Sequence, residues 1–494
     1  MPSGPPPSAP PDRRQLSTPP VSTVVPAPPS GSRSEEGDRR ELSAPPVSAA
    51  APAPPSGARS AAGDRRQPSA EPVRATTPAP PSAPPPGPPP APARRRHPPS
   101  PPAPTAAGRP RPLPAGPADA GTHPDRPRLT ELRLSAFAGH RRAVLPLGPL
   151  TLLAGPSGSG KTGALRAYEA LARLGGGAEL GEVFPDPAAC VPERARPDAQ
   201  RRRGFRIGCT ADGPEGPVRL DVAVQAEPDL RVVGERLTAG GLVLLETALR
   251  DPGRRTVQAA WHTAGSTPVT RAPLPDDRLG TALLPLRVAG KTPGQRRVLA
   301  AAEQMVVALR SVFACDPRPD RMRGPVPAGS GRLLGGCDNL ADVLRRTRTE
   351  CGRRHAHFVA AVRAGCAGPV ADVLAETRAD GTVGALLDRG DGVRTGLGRL
   401  GDGELRYVAL ALVLLTGPGV LEVDAPCEVP AALQTLTVLA DGFDRGLDAR
   451  QRAELLGLAA RMCARGHIRL VGAVSDASWA AGADGVTVVD LDRD

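Results

Sequence analysis

Large apolar residues are sparse up to about residue 128 and then recur with the periods of folded elements. Leu132, Leu134 and Ala136 alternate with polar neighbours, which predicts a half-buried strand. Leu150 to Ala154 is an unbroken apolar run, the pattern of a buried strand, and Ala164 to Leu174 follows with helix formers and no breaker. Residues 204 to 290 read mainly as β: Val218, Leu220, Val222 and Val224 alternate with Arg219, Asp221 and Ala223, with turns at Asp212-Gly213 and Ala239-Gly240-Gly241. Residues 294 to 395 read mainly as helix, with Val298, Ala302, Met305, Leu309 and Val312 on one face. From Leu397 onward helices and apolar strands alternate again, so the fold class expected is α/β.

Residues 1 to 128 are Pro, Ala, Ser, Gly and Arg, and cannot bury enough surface to offset the entropy of ordering them. A disordered tail is expected there. Asp12-Arg13-Arg14, Asp38-Arg39-Arg40 and Asp64-Arg65-Arg66 open similar runs with a period of 26 residues, but the units lack apolar faces and read as duplicated linker. The net charge is +12; the tail holds 16 Arg against 9 acidic residues. Such an arm is either a solvated linker or a contact for nucleic acid or another acidic surface. No run reaches the ~20 apolar residues of a membrane span. The first residues lack the charged start and apolar core of a secretory signal. The eight cysteines form no C-x-x-C pair, as expected of reduced thiols in a cytoplasmic protein.

Only two of the 63 basic side chains are lysine, Lys161 and Lys291. Lys161 lies in Gly155-Pro156-Ser157-Gly158-Ser159-Gly160-Lys161-Thr162, a G-x-x-x-x-G-K-T run between the buried strand and the helix. Its glycines let backbone N–H groups turn toward phosphate, Lys161 reaches the outer phosphates, and Thr162 offers a hydroxyl to Mg²⁺. Gly290-Lys291-Thr292 lacks the upstream glycine. Leu400-Gly401-Asp402-Gly403-Glu404 heads an apolar helix, and reads either as a second anion-binding helix start or as a plain turn. Two apolar strands end in aspartate, at Asp441 and at Asp424, and either carboxylate could hold Mg²⁺.

In this order the segments resemble ABC-type ATPases, particularly the RecF/SMC-like group whose members are also called AAA ATPases. Residues 129 to 137 look like that group's opening strand, Gly155 to Thr162 like its Walker A, and Gly234 to Leu237 like part of its antiparallel sheet. Arg323-Gly324-Pro325 and Asp338 to Ala341 are similar to parts of its helical insert. Leu400 to Glu404 matches its signature, and Leu439-Ala440-Asp441 with Gly446-Leu447-Asp448 its Walker B and D-loop.

The resemblance implies a P-loop NTPase fold with an antiparallel β lobe (204–290), a helical insert (294–395) and a signature and Walker B lobe (396–494). It implies ATP and Mg²⁺ bound by Gly155, Ser157, Gly158, Ser159, Gly160, Lys161 and Thr162, with Asp441, or alternatively Asp424, as the metal-side carboxylate. Gly401, Gly403, Glu404 and Asp448 would contact nucleotide across an ATP-dependent homodimer.

The chain departs from the group at several points. The residue after the Walker B aspartate, normally Glu, is Gly442, or Ala425 in the alternative; the signature serine is Gly401; the switch histidine position leads to Ser475-Asp476. Asp444 is the nearest substitute base, and Gln200 the one Q-loop candidate. Binding with slow or absent hydrolysis is therefore expected. The other readings are a nucleotide-gated scaffold for DNA or a protein partner, and the nucleotide subunit of a transporter. Cys351, His355, His357 and Cys366 lack the spacing of a zinc site, and Arg201-Arg202-Arg203 reads as a solvated loop rather than a phosphate contact.

Overall fold

The computed structural model describes residues 126–264, 268–423, 429–430 and 433–491; the repeats and Asp424 lie outside them. A hairpin of β1 (Arg128–Phe137) and β2 (His140–Pro146) precedes β3 (Leu150–Ala154) and helix α1 (Lys161–Gly175). The short α2 (Leu180–Val183) leads to β4 (Arg203–Asp212), β5 (Val218–Glu227), β6 (Arg231–Ala239), β7 (Leu242–Ala248), β8 (Thr256–His262) and β9 (Val269–Pro275). Then come α3 (Gly280–Arg287), α4 (Pro293–Arg310), β10 (Val312–Cys315), α5 (Pro319–Met322) and β11 (Val326–Pro327). Next are α6 (Leu340–Glu350), α7 (Gly352–Gly365), β12 (Asp372–Thr377), β13 (Thr382–Asp388) and β14 (Arg394–Gly396). The last elements are α8 (Asp402–Leu415), β15 (Leu436–Ala440), α9 (Ala449–Cys463), β16 (Ile468–Val474) and β17 (Val486–Asp490).

These elements form an α/β fold with two large sheets. One is antiparallel, in the order β2-β1-β4-β5-β6-β7-β8-β9; the other is ordered β10-β15-β16-β3-β17 with every pair parallel. β3, β15 and β16 are buried along their whole length, which is why they read as continuous apolar runs rather than alternating ones. Successive side chains point to opposite faces. Leu153, Leu439, Val471 and Ala473 join the core shared with α1, α4 and the antiparallel sheet. Leu150, Leu152, Val438 and Leu470 join the core shared with α7, α8 and α9.

A buried guanidinium ties the two sheets. Arg469 on β16 donates through Nη2 to the carbonyls of Leu129 (3.1 Å), Leu147 (2.8 Å) and Gly148 (2.7 Å). Burial lowers its pKa below the ordinary arginine value, and the three carbonyls compensate the charge in place of a carboxylate.

Three local expectations are corrected. β1 starts at Arg128, inside the stretch assigned to the tail, because Arg128 pairs with Asp212 and bonds its carboxylate at 2.6 Å. Alternation along β1 breaks at Ala136, whose φ is 53°, so Phe137 enters the core next to it. Residues 294–395 hold five strands as well as helices: β10 joins the parallel sheet, and β11 to β14 form a third sheet. Val312 consequently belongs to β10 and not to the face of α4 that buries Val298, Ala302, Met305 and Leu309.

Candidate functional site

β3, flanked by β16 and β17 in the parallel sheet, delivers the chain to Gly155, and α1 leaves from Gly160. Gly155, Gly158 and Gly160 have φ of 148°, 89° and 96°, values that L side chains rarely adopt. Gly160 caps α1 without any side-chain hydrogen bond, and the first turn of α1 has no acidic residue. The first-turn N–H groups therefore lack a capping side chain. Lys161 Nζ lies folded over the loop, donating to Gly155 O (2.6 Å), Pro156 O (2.7 Å) and Ser159 Oγ (3.4 Å). The buried His140 on β2 meets Gly160 O at 3.0 Å, and a Cβ on Gly160 would lie 2.6 Å from that ring. His140 thus buttresses the loop from the antiparallel sheet.

β15 ends at Ala440, two strands from β3, and the next residue meets the loop. Thr162 Oγ1 donates to Asp441 Oδ2 at 2.9 Å. Asp441 N donates to Cys315 O (3.0 Å), so the end of β10 lies beside it and brings in Asp316. Arg406, buried on α8, locks these ends together. It donates to Asp316 Oδ1 (3.1 Å), Asp441 O (3.0 Å), Gly442 O (2.9 Å) and Pro317 O. Neither Arg406 nor Asp316 carried a sequence signal of its own.

Thr162 and Asp441 separate two clefts. One, of about 420 Å³, is lined by Ser157, Gly158, Gly160, Lys161, Asp444, Arg445 and Ser475, among others. The other, of about 450 Å³, runs along α1 past Arg166, Asp316 and Arg318. In the first, Asp444 accepts through Oδ2 from Ser475 N (3.0 Å) and Ser475 Oγ (2.7 Å). Ser475 follows the last residue of β16, where the switch histidine was sought.

Gly401, Gly403, Glu404 and Asp448 do not line either cleft. Gly401 caps α8, and Glu404 accepts from Gly401 N (3.3 Å) and Ala367 N (2.8 Å). Asp402 pairs with Arg323. α8 is buried from Leu405 to Leu414, as an all-round apolar helix must be. Gly403 abuts the turn after β15: a Cβ there would come within 2.1 Å of Gly446 O. Asp448 caps α9, accepting from Gln451 N at 2.7 Å.

Gln200 lies away from both clefts, in an exposed loop where it accepts from Arg202. Arg202 and Arg203 pair with Asp198 and Glu227. His355 bonds Asp372 at 2.8 Å, and no group of three His, Cys, Asp or Glu side chains among the described residues is arranged to hold a metal ion. Seven cysteines are free thiols in the described residues, and no helix there is long and apolar enough to cross a membrane.

No family model and no curated protein matches the chain. Among solved structures it is similar to an SMC head bound to the C-terminal winged-helix domain of ScpA. That match has 12% identity and a TM-score of 0.42, covering 73% of this chain and 94% of that one. The SMC head domain from Thermotoga maritima is similar at 14% identity and TM-score 0.33, with coverage of 73% and 94%. A third likeness is the Pyrococcus furiosus SMC head with an extended coiled coil bound to the C-terminal domain of ScpA. It has 13% identity and TM-score 0.38, with coverage of 74% and 94%.

Proposed function

We propose that the chain is an ATP-binding protein of the RecF/SMC-like ABC type, in which ATP favours closure of two copies and hydrolysis is slow or absent. The observation that carries ATP binding is the junction of the uncapped, glycine-entered helix α1 with Asp441, through Thr162 at 2.9 Å. The N–H groups of the loop and of the first turn of α1, with Lys161, receive the phosphates. Thr162 and Asp441 would hold Mg²⁺, which when bound neutralises phosphate oxygens and fixes their geometry. The fit is one of donor set: a hydroxyl and a carboxylate share the loop mouth with the chain's rare lysine.

Gly401, Gly403, Glu404 and Asp448 lie off the clefts of their own chain, which supports a contact made to nucleotide on a second copy. ATP would then act as a ligand of the closed pair, shifting the equilibrium by its differential affinity. Gly442 leaves no carboxylate immediately after Asp441. Asp444, held through one oxygen by Ser475, is the base available in the cleft. Turnover below about 1 per second, under the usual enzyme range, is expected. The scaffold reading, with DNA or a protein partner in the cytoplasm, is favoured by the same Gly442 and differs only in the absence of turnover.

The test is ATP binding and Mg-ATP hydrolysis measured side by side for wild type and Lys161→Ala. Binding lost in the variant supports the site; measurable slow turnover assigns an ATPase, and its absence a nucleotide-gated scaffold. Wild type that binds no ATP, or turns it over well above one per second, overturns the corresponding half of the proposal.

A further inference from the structure

The solvent face of the antiparallel sheet carries a charged trough that the nucleotide site does not use. Arg133, Arg142, Arg206, Arg219 and Arg236 border it, and it encloses about 590 Å³. Its floor is made of small residues in register on neighbouring strands: Arg206 faces Ala223 and Ala223 faces Gly234, while Arg133 faces Gly208 and Gly208 faces Asp221. Three of the arginines are neutralised locally. Asp221 takes Arg133 and Arg219, Glu246 takes Arg236, and Glu131 also pairs with Arg133.

Arg142 and Arg206 are different. Both are exposed, and neither has a carboxylate within salt-bridge distance among the described residues. Both stand directly opposite Ser135, one on each side, so the three side chains form one row across β2, β1 and β4. Strands lie about 4.8 Å apart, which sets the two arginine backbones about 10 Å from each other, within reach of one or two shared carboxylates. Val144, opposite Arg133 and 56% exposed, adds an apolar contact beside the row.

We infer that this trough docks an extended acidic segment of a partner protein, with carboxylates on Arg142 and Arg206 and an apolar side chain on Val144. Guanidinium forks match carboxylates in bidentate geometry. The trough's lining has no aromatic side chain on which bases could stack, which disfavours a single-stranded nucleic acid. The charged floor and rim are equally unlike the apolar enclosure of a small-molecule site.

The experiment uses the full chain at low salt, with fluorescence anisotropy of a short labelled peptide of alternating Glu and Leu. Oligothymidylate of similar charge and an alternating Lys and Leu peptide run in parallel. Wild type is expected to bind the acidic peptide, and Arg142→Glu with Arg206→Glu to weaken it by about tenfold or more while ATP binding is unchanged. If charge reversal lowers the melting temperature, Arg142→Gln with Arg206→Gln gives the same comparison. No binding by wild type, or equal binding by the variants, overturns the inference. Tighter binding of oligothymidylate that displaces the peptide also overturns it and assigns the face to nucleic acid.

Discussion

Helices α1 and α8 both begin at a glycine in a glycine-rich approach, yet their N-termini differ in backbone conformation and in charge. α1 is entered through left-handed Gly160, has no capping side chain and no acid in its first turn. α8 is entered through extended Gly401, carries Asp402 and Glu404 in its first turn, and folds Glu404 back onto the Gly401 N–H. A helix N-terminus attracts anions through its unsatisfied donors and positive dipole end. Neither Gly160 nor Gly401 supplies a capping side chain; what differs is that α8 carries two carboxylates in its first turn and α1 none. A glycine at a helix start therefore does not by itself set how strongly that end attracts an anion; the first-turn charges do as well. Lys161 is a cation at the wrong end of its helix dipole, so helix stability gives it no reason; the proposed phosphate ligand would.

Four measurements press on that contrast. The largest effect belongs to Lys161→Ala: charge-assisted bonds worth about 1.5–3 kcal/mol correspond to a roughly ten- to hundredfold loss of ATP affinity, read by calorimetry. Unchanged affinity would mean the α1 terminus is not where ATP sits. Next, Asp441→Asn keeps a hydrogen-bond partner for Thr162 but removes the charge. ATP affinity with and without Mg²⁺ should then converge; a retained Mg²⁺ dependence would point elsewhere, Asp424 included.

Asp402→Ser removes one of the carboxylates at α8, a change worth about 0.3–1 kcal/mol at a helix end. ATP-dependent self-association, followed by sedimentation, should strengthen by about two- to fivefold; weakening would show that Asp402 serves through its pair with Arg323. The smallest effect lies outside both helices. Burial depresses His467 below its ordinary 6.5, so its folded state prefers the neutral ring. Stability is present above about pH 6.5 and declines as pH falls below it, while the unfolded chain takes up the proton more readily. His467→Gln should flatten that part of a urea-midpoint profile, and an unaltered slope would remove His467 as its source.

What could be read along the chain was whatever is contiguous. The strand, loop and helix at Leu150–Gly175 lie in one run, so the periods and the glycine spacing reveal them together. The other half of the site is assembled from distant segments. Asp441 reaches Thr162 across 279 residues, and Arg406 reaches Asp316 across 90. No local pattern reports such pairings, so only the resemblance of Gly446-Leu447-Asp448 to a D-loop set Asp441 ahead of Asp424, and Arg406 was invisible. The third sheet was missed for a related reason. Its strands are short, Ala- and Leu-containing segments whose propensity is weak, and pairing decides them. The charge row of Arg142, Ser135 and Arg206 likewise exists only once β1 lies between β2 and β4.

The position of β3 in its sheet has a consequence for biosynthesis. Its two neighbours are β16 and β17, and the Arg469 tie to Gly148 spans 321 residues. At about 5–20 residues per second, a ribosome takes tens of seconds to make the segment that flanks β3. During that interval the loop Gly155–Thr162 has been translated but its strand has no partner on either edge. Nascent chains stalled before β16 would therefore expose β3, remain sensitive to protease and fail to retain ATP, and both properties should change together once β16 and β17 emerge.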